Sequence, residues 1–432
     1  MTHRMNVYEA AQKRLKLVFD NFDYVYVSFS GGKDSGVLLN LCVEYLRKNF
    51  PGRKLGVLHL DYEAQYSQTT EYVANRLAED RDIIEVYHCC VPFKVTTCTS
   101  MYQSYWRPWE ESKKELWVRD MPENCHTASD FDFFNEGLWD YDFHHFFAQW
   151  LRQRKQVRRV CCLIGIRTQE SYNRWRTIHS SRNCRHFGSA KWISMMGGNV
   201  FNAYPIYDWK TSDIWVANSK FRWEYNRLYD LYYQAGIPLG RQRVASPFIS
   251  QALSTLSIYK AVDPDTWGKM VSRVNGVNFA GLYGNSFAMG WRSIKCPQTF
   301  SWKQYMEFLL GTLPEETARN YRDKLRVSIR FWRERGGCLS EETINKLRDR
   351  NISFSVGCMS AYHTDKRPVR MEYLDDIDIP EFKEIPTYKR MCICILKNDH
   401  ACKYMGFALT KKEKLLKERV MRKYRSLNHD KI

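Results

Sequence analysis

The sequence predicts an α/β protein, in which a parallel β-sheet carries helices on both faces and a helical, basic C-terminal extension follows. Three observations support this prediction. Short β-branched and aromatic runs alternate with segments of helical periodicity over residues 7–91. A loop of small residues joins the first predicted strand directly to an apolar helix. Strand character returns at residues 158–167, after a long interruption. In such a sheet the carboxyl ends of the strands share one edge, and ligands bind there.

Composition limits the classes of protein to which this chain can belong. Its 432 residues leave room for one large elaborated domain or roughly two to three ordinary ones. A hydrophobic content of 44%, with 15% aromatic residues, excludes global disorder. The formal net charge of +18 favours polyanionic partners, either nucleotides or nucleic acid. The alternative explanation of this charge is a solvated basic surface.

The sequence also predicts where the protein is found. It contains no apolar run of about 18 residues, and residues 1–6 lack the apolar core of a signal peptide. We therefore expect a soluble, cytoplasmic protein without a membrane partner. The 14 cysteines are then expected to be mostly reduced thiols, some of them buried and some available as metal ligands.

Strands and helices alternate in the first part of the chain. The predicted segments are, in order, a helix over 7–20, a strand over 24–29, a helix over 36–46, a strand over 55–61, a helix over 66–77 and a strand over 83–91. Asp61 ends the second of these strands. We therefore expect its carboxylate to lie at the ligand-binding edge, beside the loop that follows the first strand.

The loop after the first strand, which we call the glycine loop, has the features of an anion site. It consists of Ser30, Gly31, Gly32, Lys33, Asp34 and Ser35, and it directly follows the predicted strand over 24–29. Free N–H groups and the positive dipole end of the next helix would face it, and two glycines would let a phosphate approach the backbone. The Walker A spacing is absent. The alternative is an ordinary strand–turn–helix connection that happens to contain two glycines.

An insertion over residues 92–150 interrupts the alternation of strands and helices. It is rich in tryptophan and tyrosine, interleaved with lysine and arginine, and its last part, residues 131–154, is predicted to be helical. Aromatic and basic side chains of this kind can stack on bases and hold backbone phosphates of a nucleic acid. A hydrophobic cluster beneath a long excursion of the chain explains the same pattern equally well.

Two further motifs follow the insertion. In the first, Arg167 stands at a strand end, where its planar fork of donors could grip phosphate or sulfate oxygens. Arg174 could supply a second fork, whereas a salt bridge between Arg167 and Glu170 is the competing interpretation. The second motif, residues 201–215, is mainly architectural: Thr211 or Ser212 is predicted to cap a helix whose first turn contains an acidic residue.

These three motifs together resemble the phosphoadenosine phosphosulfate (PAPS) reductase-like family of the ATP-pyrophosphatase (PP-loop) superfamily. The resemblance implies a Rossmann-like, adenine nucleotide alpha-hydrolase-like sheet that binds ATP or a related adenine nucleotide together with Mg²⁺. It implies nucleotide-binding roles for Ser28, Ser30, Gly31, Gly32, Lys33, Asp34, Ser35, Asp61, Arg167, Glu170 and Arg174. Of these residues, Lys33, Asp34 and Arg167 are the expected catalytic groups.

The chain departs from the reductases at one point. No Glu-Cys-Gly-Ile/Leu-His segment follows the third motif, and Arg241, Gln242 and Arg243 stand in its region. We therefore do not expect PAPS reduction by a cysteine, and nucleotidyl transfer or sulfur activation fits better. The whole chain resembles a bacterial and prophage group that includes an enteric co-activator of immunoglobulin-binding surface proteins. That resemblance implies a small ParB-like protein partner.

Three functions remain open on the sequence alone. The first is an enzyme that cleaves the α–β phosphate bond of the nucleotide in order to activate an acceptor. The second is a regulatory or DNA-binding module that is controlled by the nucleotide without turnover. The third is a nucleic-acid sulfurtransferase.

The C-terminal half carries a possible metal site and a basic surface. The predicted regions are 1–245, containing the nucleotide-binding domain, 246–350, which is helical and basic, and 351–432, which is cysteine-containing with a basic helical tail over 411–425. The predicted metal ligands, for zinc or an iron–sulfur cluster, are Cys392, Cys394, His400 and Cys402, with Cys358 as a further candidate. Alternating strand positions would explain Cys-Ile-Cys without a metal.

Overall fold

The computed structural model describes residues 5–170, 174, 178, 185–240, 242–244, 246–249, 252–283, 294–357 and 366–405. Several sequence predictions, those on residues 171–173, Arg241, Cys358 and the tail 411–425, lie outside these described residues. The chain folds as two compact units, Met1–Val95 with Tyr105–Val277 and Thr96–Ser104 with Asn278–Ile432. The sequence-based division into three regions, with boundaries at 245 and 350, stays a prediction.

The first unit contains the predicted alternation of strands and helices. Its helices are α1 (Val7–Asn21), α2 (Lys33–Asn49), α3 (Ser67–Ala78), α4 (Asp140–Arg154), α5 (Thr211–Phe221), α6 (Leu228–Gln234), α7 (Leu256–Val262) and α8 (Pro264–Arg273). Its main strands are β1 (Tyr24–Ser28), β2 (Leu55–Leu60), β3 (Ile84–Cys89), β6 (Val160–Ile164), β7 (Arg185–Phe187), β8 (Ala190–Gly197) and β9 (Val200–Ala203), and two short strands, β4 (Val95–Thr96) and β5 (Tyr105–Trp106), lie in the insertion.

Seven strands form one mostly parallel sheet, so the predicted fold class is confirmed. Their order is β3-β2-β1-β6-β9-β8-β7, with β1 parallel to both β2 and β6, while β8 runs antiparallel to β7 and β9. The chain builds outward from β1 to β3 and then returns to the other side of β1 at β6. The boundary between β1 and β6 is therefore the topological switch point of the sheet, where ligands bind in open α/β folds.

Helices cover both faces of the sheet. Val25 and Val27 belong to the same hydrophobic core as the buried side of α2, whereas Tyr26 points the other way, with its ring 5.6 Å from that of Phe147 on α4. Every residue of β2 is buried, as expected for a parallel strand enclosed on both faces. Successive side chains along such a strand therefore point to opposite faces of the sheet and pack against different helices.

Two predicted helix starts need correction. The helix predicted over 131–154 begins only at Asp140, because Asn135 and Gly137 form a side-chain-supported turn before it, with the Gly137 N–H donating to Asn135 Oδ1 at 3.0 Å. The N-cap of α5 is Lys210, not Thr211 or Ser212. The Lys210 N–H donates to Asp213 Oδ2 at 2.7 Å. Asp213 is the acidic residue that the sequence predicted in the first turn of this helix, and it satisfies the backbone of the N-cap residue.

The second unit is mainly helical and includes a small sheet that the sequence did not predict. Its helices are α9 (Val277–Tyr283), α10 (Trp302–Gly311), α11 (Glu315–Glu334), α12 (Glu341–Asp349) and α13 (Tyr388–Leu396), and its antiparallel strands are β10 (Gly337–Leu339), β11 (Phe354–Val356) and β12 (Arg367–Met371). Strand β12 lies in the centre of this sheet. Across the parts of the chain that the structure describes, no helix has both the length and the apolarity to traverse a bilayer.

A buried charged residue ties the insertion to α8. Glu63 is fully buried in the left-handed region at φ 63°, and its carboxylate pairs with Arg273, at 2.9 Å from Nε and 3.2 Å from Nη2. The same carboxylate accepts the N–H groups of Trp109 at 2.7 Å and Val118 at 3.0 Å. A non-glycine residue persists in this conformation only where its surroundings hold it, and these four hydrogen bonds supply that constraint.

Candidate functional site

The glycine loop joins β1 to α2 in a conformation that depends on its glycines. Gly31 has a φ of +74°, and a Cβ at this position would lie 2.7 Å from Val73 Cγ2 on α3. The N-cap residue Gly32 has no side chain to occupy the first-turn N–H groups of α2. These N–H groups have no acceptor within the helix and point out of its N-terminus. The loop therefore has the geometry of an anion site, and anion binding itself stays a prediction.

The two serines hold the loop closed from inside. Ser35 Oγ donates to the Gly32 carbonyl oxygen at 3.0 Å and accepts the Ser30 N–H at 3.2 Å. The Ser30 and Ser35 hydroxyls also lie 3.1 Å apart. Both serines thus act within the loop, where they fix its curvature. Ser28 forms the last residue of β1 and precedes the loop.

Helix α6 supports the loop from outside, which the sequence analysis did not anticipate. The Asn226 side-chain amide donates to the Gly31 carbonyl oxygen at 3.0 Å and to Thr69 Oγ1 at 2.9 Å. The Tyr229 hydroxyl accepts the Lys33 N–H at 3.1 Å. The sequence indicates only a helix around Asn226 and Tyr229. Asn226 lies just before that helix, and the structure shows that it is buried. A buried side-chain amide needs hydrogen-bond partners, which here are supplied by the glycine loop and α3.

The strand across the switch point approaches the loop closely at Gly165. A Cβ on Gly165 would lie 3.0 Å from the carbonyl carbon of Asp34 and 3.1 Å from the Ser35 nitrogen. Both neighbours are backbone atoms of the first turn of α2, which cannot move aside without displacing the helix. The absence of a side chain at 165 therefore allows the ends of β1 and β6 to form one narrow site.

Three charged side chains of the predicted site are in direct contact. Arg167 Nε donates to Asp34 Oδ1 at 2.6 Å, and Lys33 Nζ lies 3.2 Å from Asp34 Oδ2. Lys33 is 5% exposed and Arg167 1% exposed. Burial lowers the pKa of the Lys33 ammonium, while Asp34 opposes that change and Arg167 and Arg243 add to it. The Asp34 carboxylate thus pairs with two buried cations at once.

Arg167 also contacts the side of the site formed by α5. Its Nη1 lies 3.3 Å from Thr211 Oγ1 and 3.5 Å from the Trp209 carbonyl oxygen. Its Nη2 lies 3.8 Å from Glu170 Oε1, and Glu170 forms a closer ion pair with Arg174. The structure therefore brings Arg167, Glu170 and Arg174 together. The alternative interpretation, a salt bridge between Arg167 and Glu170, therefore agrees with the geometry, although Asp34 is the nearer partner of Arg167.

Asp61 lies at the end of β2, as predicted, and its carboxylate is fully engaged. Arg119 of the insertion donates to Oδ1 at 2.5 Å, His88 Nε2 lies 2.8 Å from Oδ2, and the Glu63 N–H donates to Oδ1 at 2.9 Å. Burial acts to raise the pKa of this carboxyl group, but Arg119 and His88 outweigh it and hold the pKa well below its usual range. The resemblance-based role of Asp61 in an adenosine pocket stays a prediction.

The predicted ligands of the C-terminal metal site are not gathered at one point. Cys392 and Cys394 lie on helix α13 and not on a strand. Residues two positions apart on a helix point in directions about 200° apart around its axis. Cys392 Sγ lies 3.6 Å from the Trp302 carbonyl oxygen, and His400 Nε2 lies 3.0 Å from that of Ser100. Within the described part of the chain, no three donors of this set lie within 4.8 Å of one another. The arrangement does not fit zinc or an iron–sulfur cluster.

The aromatic residues of the insertion are largely internal. Trp106 and Trp109 are each 2% exposed, and Trp109 packs edge-on against Trp117 with ring centroids 5.2 Å apart. Trp109 Nε1 donates to the Asp61 carbonyl oxygen at 2.9 Å. Buried rings cannot stack on bases, so for these tryptophans the hydrophobic-cluster interpretation is correct.

Replacing Gly31 with alanine is expected to remove anion binding at the loop. The new Cβ would meet Val73 at 2.7 Å and would impose a left-handed alanine, which costs about 1–2 kcal/mol before the steric overlap is counted. The first turn of α2 would have to move. Isothermal titration with adenine nucleotides should show the loss.

Gly52→Ala provides the matched control for this substitution. Gly52 also has a positive φ, +87°, but no atom lies within 4 Å of its Cβ position. The Gly52→Ala substitution should lower the melting temperature slightly and leave nucleotide binding intact. Equal binding by Gly31→Ala and Gly52→Ala would show that the packing of Gly31 against Val73 is unimportant.

Comparisons with known proteins give a family for the chain. A model of the phosphoadenosine phosphosulfate reductase domain matches residues 24–236, and a model described as domain of unknown function (DUF3440) matches residues 236–416. The curated Escherichia coli (strain K12) protein YbdN, described as uncharacterized, is 34% identical over 412 residues, covering 94% of this chain and 92% of YbdN.

Several solved structures also match the chain, at low identity and low TM-score. The PAPS reductase of Candida auris, in a phosphate complex, has 14% identity and a TM-score of 0.30, and the match covers 55% of this chain and 87% of that one. The U34-tRNA thiolase NcsA of Methanococcus maripaludis, with its [4Fe-4S] cluster, has 14% identity and a TM-score of 0.32, over 64% of this chain and 79% of that one. Similarities at this level carry no argument about activity. The 34% identity over nearly the whole length does identify the family: the chain belongs with YbdN, and residues 24–236 match the model of the phosphoadenosine phosphosulfate reductase domain.

Proposed function

We propose that the protein binds ATP or a related adenine nucleotide and cleaves its α–β phosphate bond in order to activate an acceptor. The observation that carries the proposal is the position of the glycine loop at the switch point between β1 and β6, with the buried cations Lys33 and Arg167 beside it. The phosphates would lie on the N-terminus of α2. Both the helix dipole and the uncapped N–H groups favour negative charge at that point.

Each loop residue has a distinct part in this proposal. The first-turn N–H groups of α2 and the Lys33 ammonium would stabilise the charge that develops on pyrophosphate as the α-phosphorus is attacked. Asp34 would position Lys33 and Arg167 rather than contact the phosphates, because each of its oxygens already has a cationic partner. Arg174 and Glu170 would limit the site on the side of β6.

Magnesium is the metal that the resemblance implies for the nucleotide. Asp34, the carboxylate of the loop, is engaged by Lys33 and Arg167, so the protein side chains at the loop fit direct Mg²⁺ coordination poorly. Mg²⁺ usually keeps several waters and binds through substrate phosphates. Within this proposal the nucleotide would bring the ion, and the residues described here would hold the phosphates.

A regulatory function without turnover is the second candidate. One observation favours it: the Tyr229 hydroxyl occupies the Lys33 N–H, so nucleotide phosphates would compete with a contact from α6. Nucleotide occupancy could then be communicated through α6 to a partner. The resemblance suggests a small ParB-like protein or nucleic acid as that partner, and the net charge of +18 is compatible with nucleic acid. Nucleic-acid sulfur transfer is a narrower form of the enzymatic proposal.

Replacing Lys33 with alanine is expected to lower pyrophosphate release from ATP by about 10²–10³-fold, the usual effect of removing one donor to a developing anion. The substitution removes the buried ammonium and leaves Asp34 paired with Arg167. Release should be measured with the purified full-length protein, with and without candidate acceptors. Lys48→Ala is the matched control, because Lys48 lies exposed on the same helix and its removal should not alter release.

The outcomes separate the two candidate functions. Pyrophosphate release by the wild type and by Lys48→Ala, but not by Lys33→Ala, supports the enzyme. If wild type and Lys33→Ala bind nucleotide and neither releases pyrophosphate with a partner present, the enzymatic proposal fails and the regulatory candidate stands. If the wild type binds no adenine nucleotide, both are wrong.

A further inference from the structure

A group of two histidines and one aspartate lies beside the glycine loop, on the next two strands of the sheet. We call His59, Asp61 and His88 the histidine–aspartate cluster. One ligand atom from each residue lies within 4.8 Å of the other two. His59 and His88 are register partners on β2 and β3, so both side chains project from the same face. Asp61 follows His59 by two positions and shares that face.

From this geometry we propose that the histidine–aspartate cluster binds a divalent transition metal of the zinc type, through one nitrogen of each imidazole and one oxygen of Asp61. Two imidazoles and one carboxylate are a donor set that suits zinc and its first-row neighbours and that magnesium, which prefers oxygen, does not favour. The proposal uses no residue of the glycine loop, and it gives Asp61 a metal-binding role in place of the nucleotide-binding role that the resemblance implies.

The hydrogen bonds of His59 leave the right atom available. Its Nδ1 lies 2.9 Å from the Phe29 carbonyl oxygen, and because a carbonyl only accepts, Nδ1 carries the proton and Nε2 carries the lone pair. A histidine whose second nitrogen donates to a backbone carbonyl is the usual arrangement for a metal ligand.

Asp61 can accept a metal without losing its other partners. Arg119 Nη2 contacts both carboxylate oxygens, the Glu63 N–H donates to Oδ1, and His88 Nε2 lies 2.8 Å from Oδ2, so that its proton points at that oxygen. A metal bound between His88 Nε2 and Asp61 Oδ2 would replace that proton, so the carboxylate keeps the same number of partners. Arg119 is a competing cation, but as a hydrogen-bond donor to the ligand carboxylate it also orients it.

An open cavity gives access to the cluster. The cavity has a volume of about 550 Å³ and is bounded by α3 and by the insertion. Glu71, Asp120 and Glu123 line it together with Arg81 and Arg119, so carboxylates outnumber guanidinium groups at its wall. This charge balance favours entry of a cation. The cavity also leaves room for water as a fourth ligand, as in zinc sites that have three protein ligands.

The test is a Co²⁺ and Zn²⁺ titration of the full-length protein under reducing conditions. We expect one equivalent of Co²⁺ to produce visible d–d bands without the near-ultraviolet charge-transfer band of a thiolate ligand, and Zn²⁺ to displace it. His59→Gln and His88→Gln should each weaken binding by more than about 100-fold, beyond the loss typical of a group that only orients a ligand. His144→Gln, a histidine on α4 outside the cluster, should bind as the wild type does.

Each result has a defined meaning. Binding by Lys33→Ala equal to that of the wild type would show that the metal site does not depend on nucleotide, so failure of one proposal leaves the other testable. A thiolate charge-transfer band, or Co²⁺ binding unchanged in His59→Gln and His88→Gln, overturns the proposal. The absence of saturable binding by the wild type overturns it as well, whether or not either variant folds.

Discussion

Replacing Arg273 with methionine is expected to lower the free energy of unfolding of the first unit by about 3–5 kcal/mol, the range for breaking a buried ion pair by removing one partner. The side chains of Arg273 and Glu63 are 1% and 0% exposed, so the remaining carboxylate would have no access to water. Glu63 would keep the N–H groups of Trp109 and Val118 but would lose both guanidinium contacts. The midpoint of chemical denaturation, followed by tryptophan fluorescence, measures the change.

Two further variants make this prediction specific. Adding Glu63→Gln to Arg273→Met removes the unpaired charge, so the double variant should recover part of the lost stability. Arg47→Met removes an arginine from a pair with Asp80, in which the arginine side chain is 52% exposed, and its midpoint should match the wild type. If Arg273→Met behaves like Arg47→Met, the buried pair does not hold the insertion to α8.

Replacing either Asp34 or Arg167 is expected to be nearly as damaging, and the two effects should not add. Asp34→Asn leaves the Arg167 guanidinium, which is 1% exposed, without its carboxylate at 2.6 Å, and this should cost about 3–5 kcal/mol. Arg167→Met leaves Asp34 with Lys33 alone. Because both single variants break the same contact, the double variant should be more stable than the sum of the two losses implies, by about 0.5–3 kcal/mol.

The same three proteins test the role of the pair in the proposed reaction. Each should lose most pyrophosphate release, since Asp34 positions the Lys33 ammonium. Lys16 and Asp20, an exposed ion pair on α1, supply the control cycle, in which no change in midpoint or release is expected. Strictly additive losses for Asp34→Asn and Arg167→Met would mean that their contact does not organise the site.

Local patterns were sufficient to predict the sheet and the position of the loop. A strand, two glycines and an apolar helix in direct succession predict a backbone anion site because the unsatisfied N–H groups of a helix N-terminus are a local property. For the same reason, β2 and β3 and the carboxylate at the end of β2 could be located from residues 55–61 and 83–91 alone. Cys392 and Cys394 were not recognised as helical, because the short apolar run over residues 391–396 fits both a strand and a short helix.

The sequence by itself determined the class of fold and the position of the glycine loop, because periodicity, glycine placement and helix ends are written within a few neighbouring residues. Only the tertiary structure decided which charges meet. Arg167 reaches Asp34 across 133 residues and Arg273 reaches Glu63 across 210, while Arg119 reaches Asp61 from an insertion without regular periodicity. Such pairs depend on strand order and on the path of the insertion, and no local pattern records either. The structure therefore adds the long-range ion pairs of Asp34, Glu63 and Asp61, together with the histidine–aspartate cluster, to what the sequence predicted.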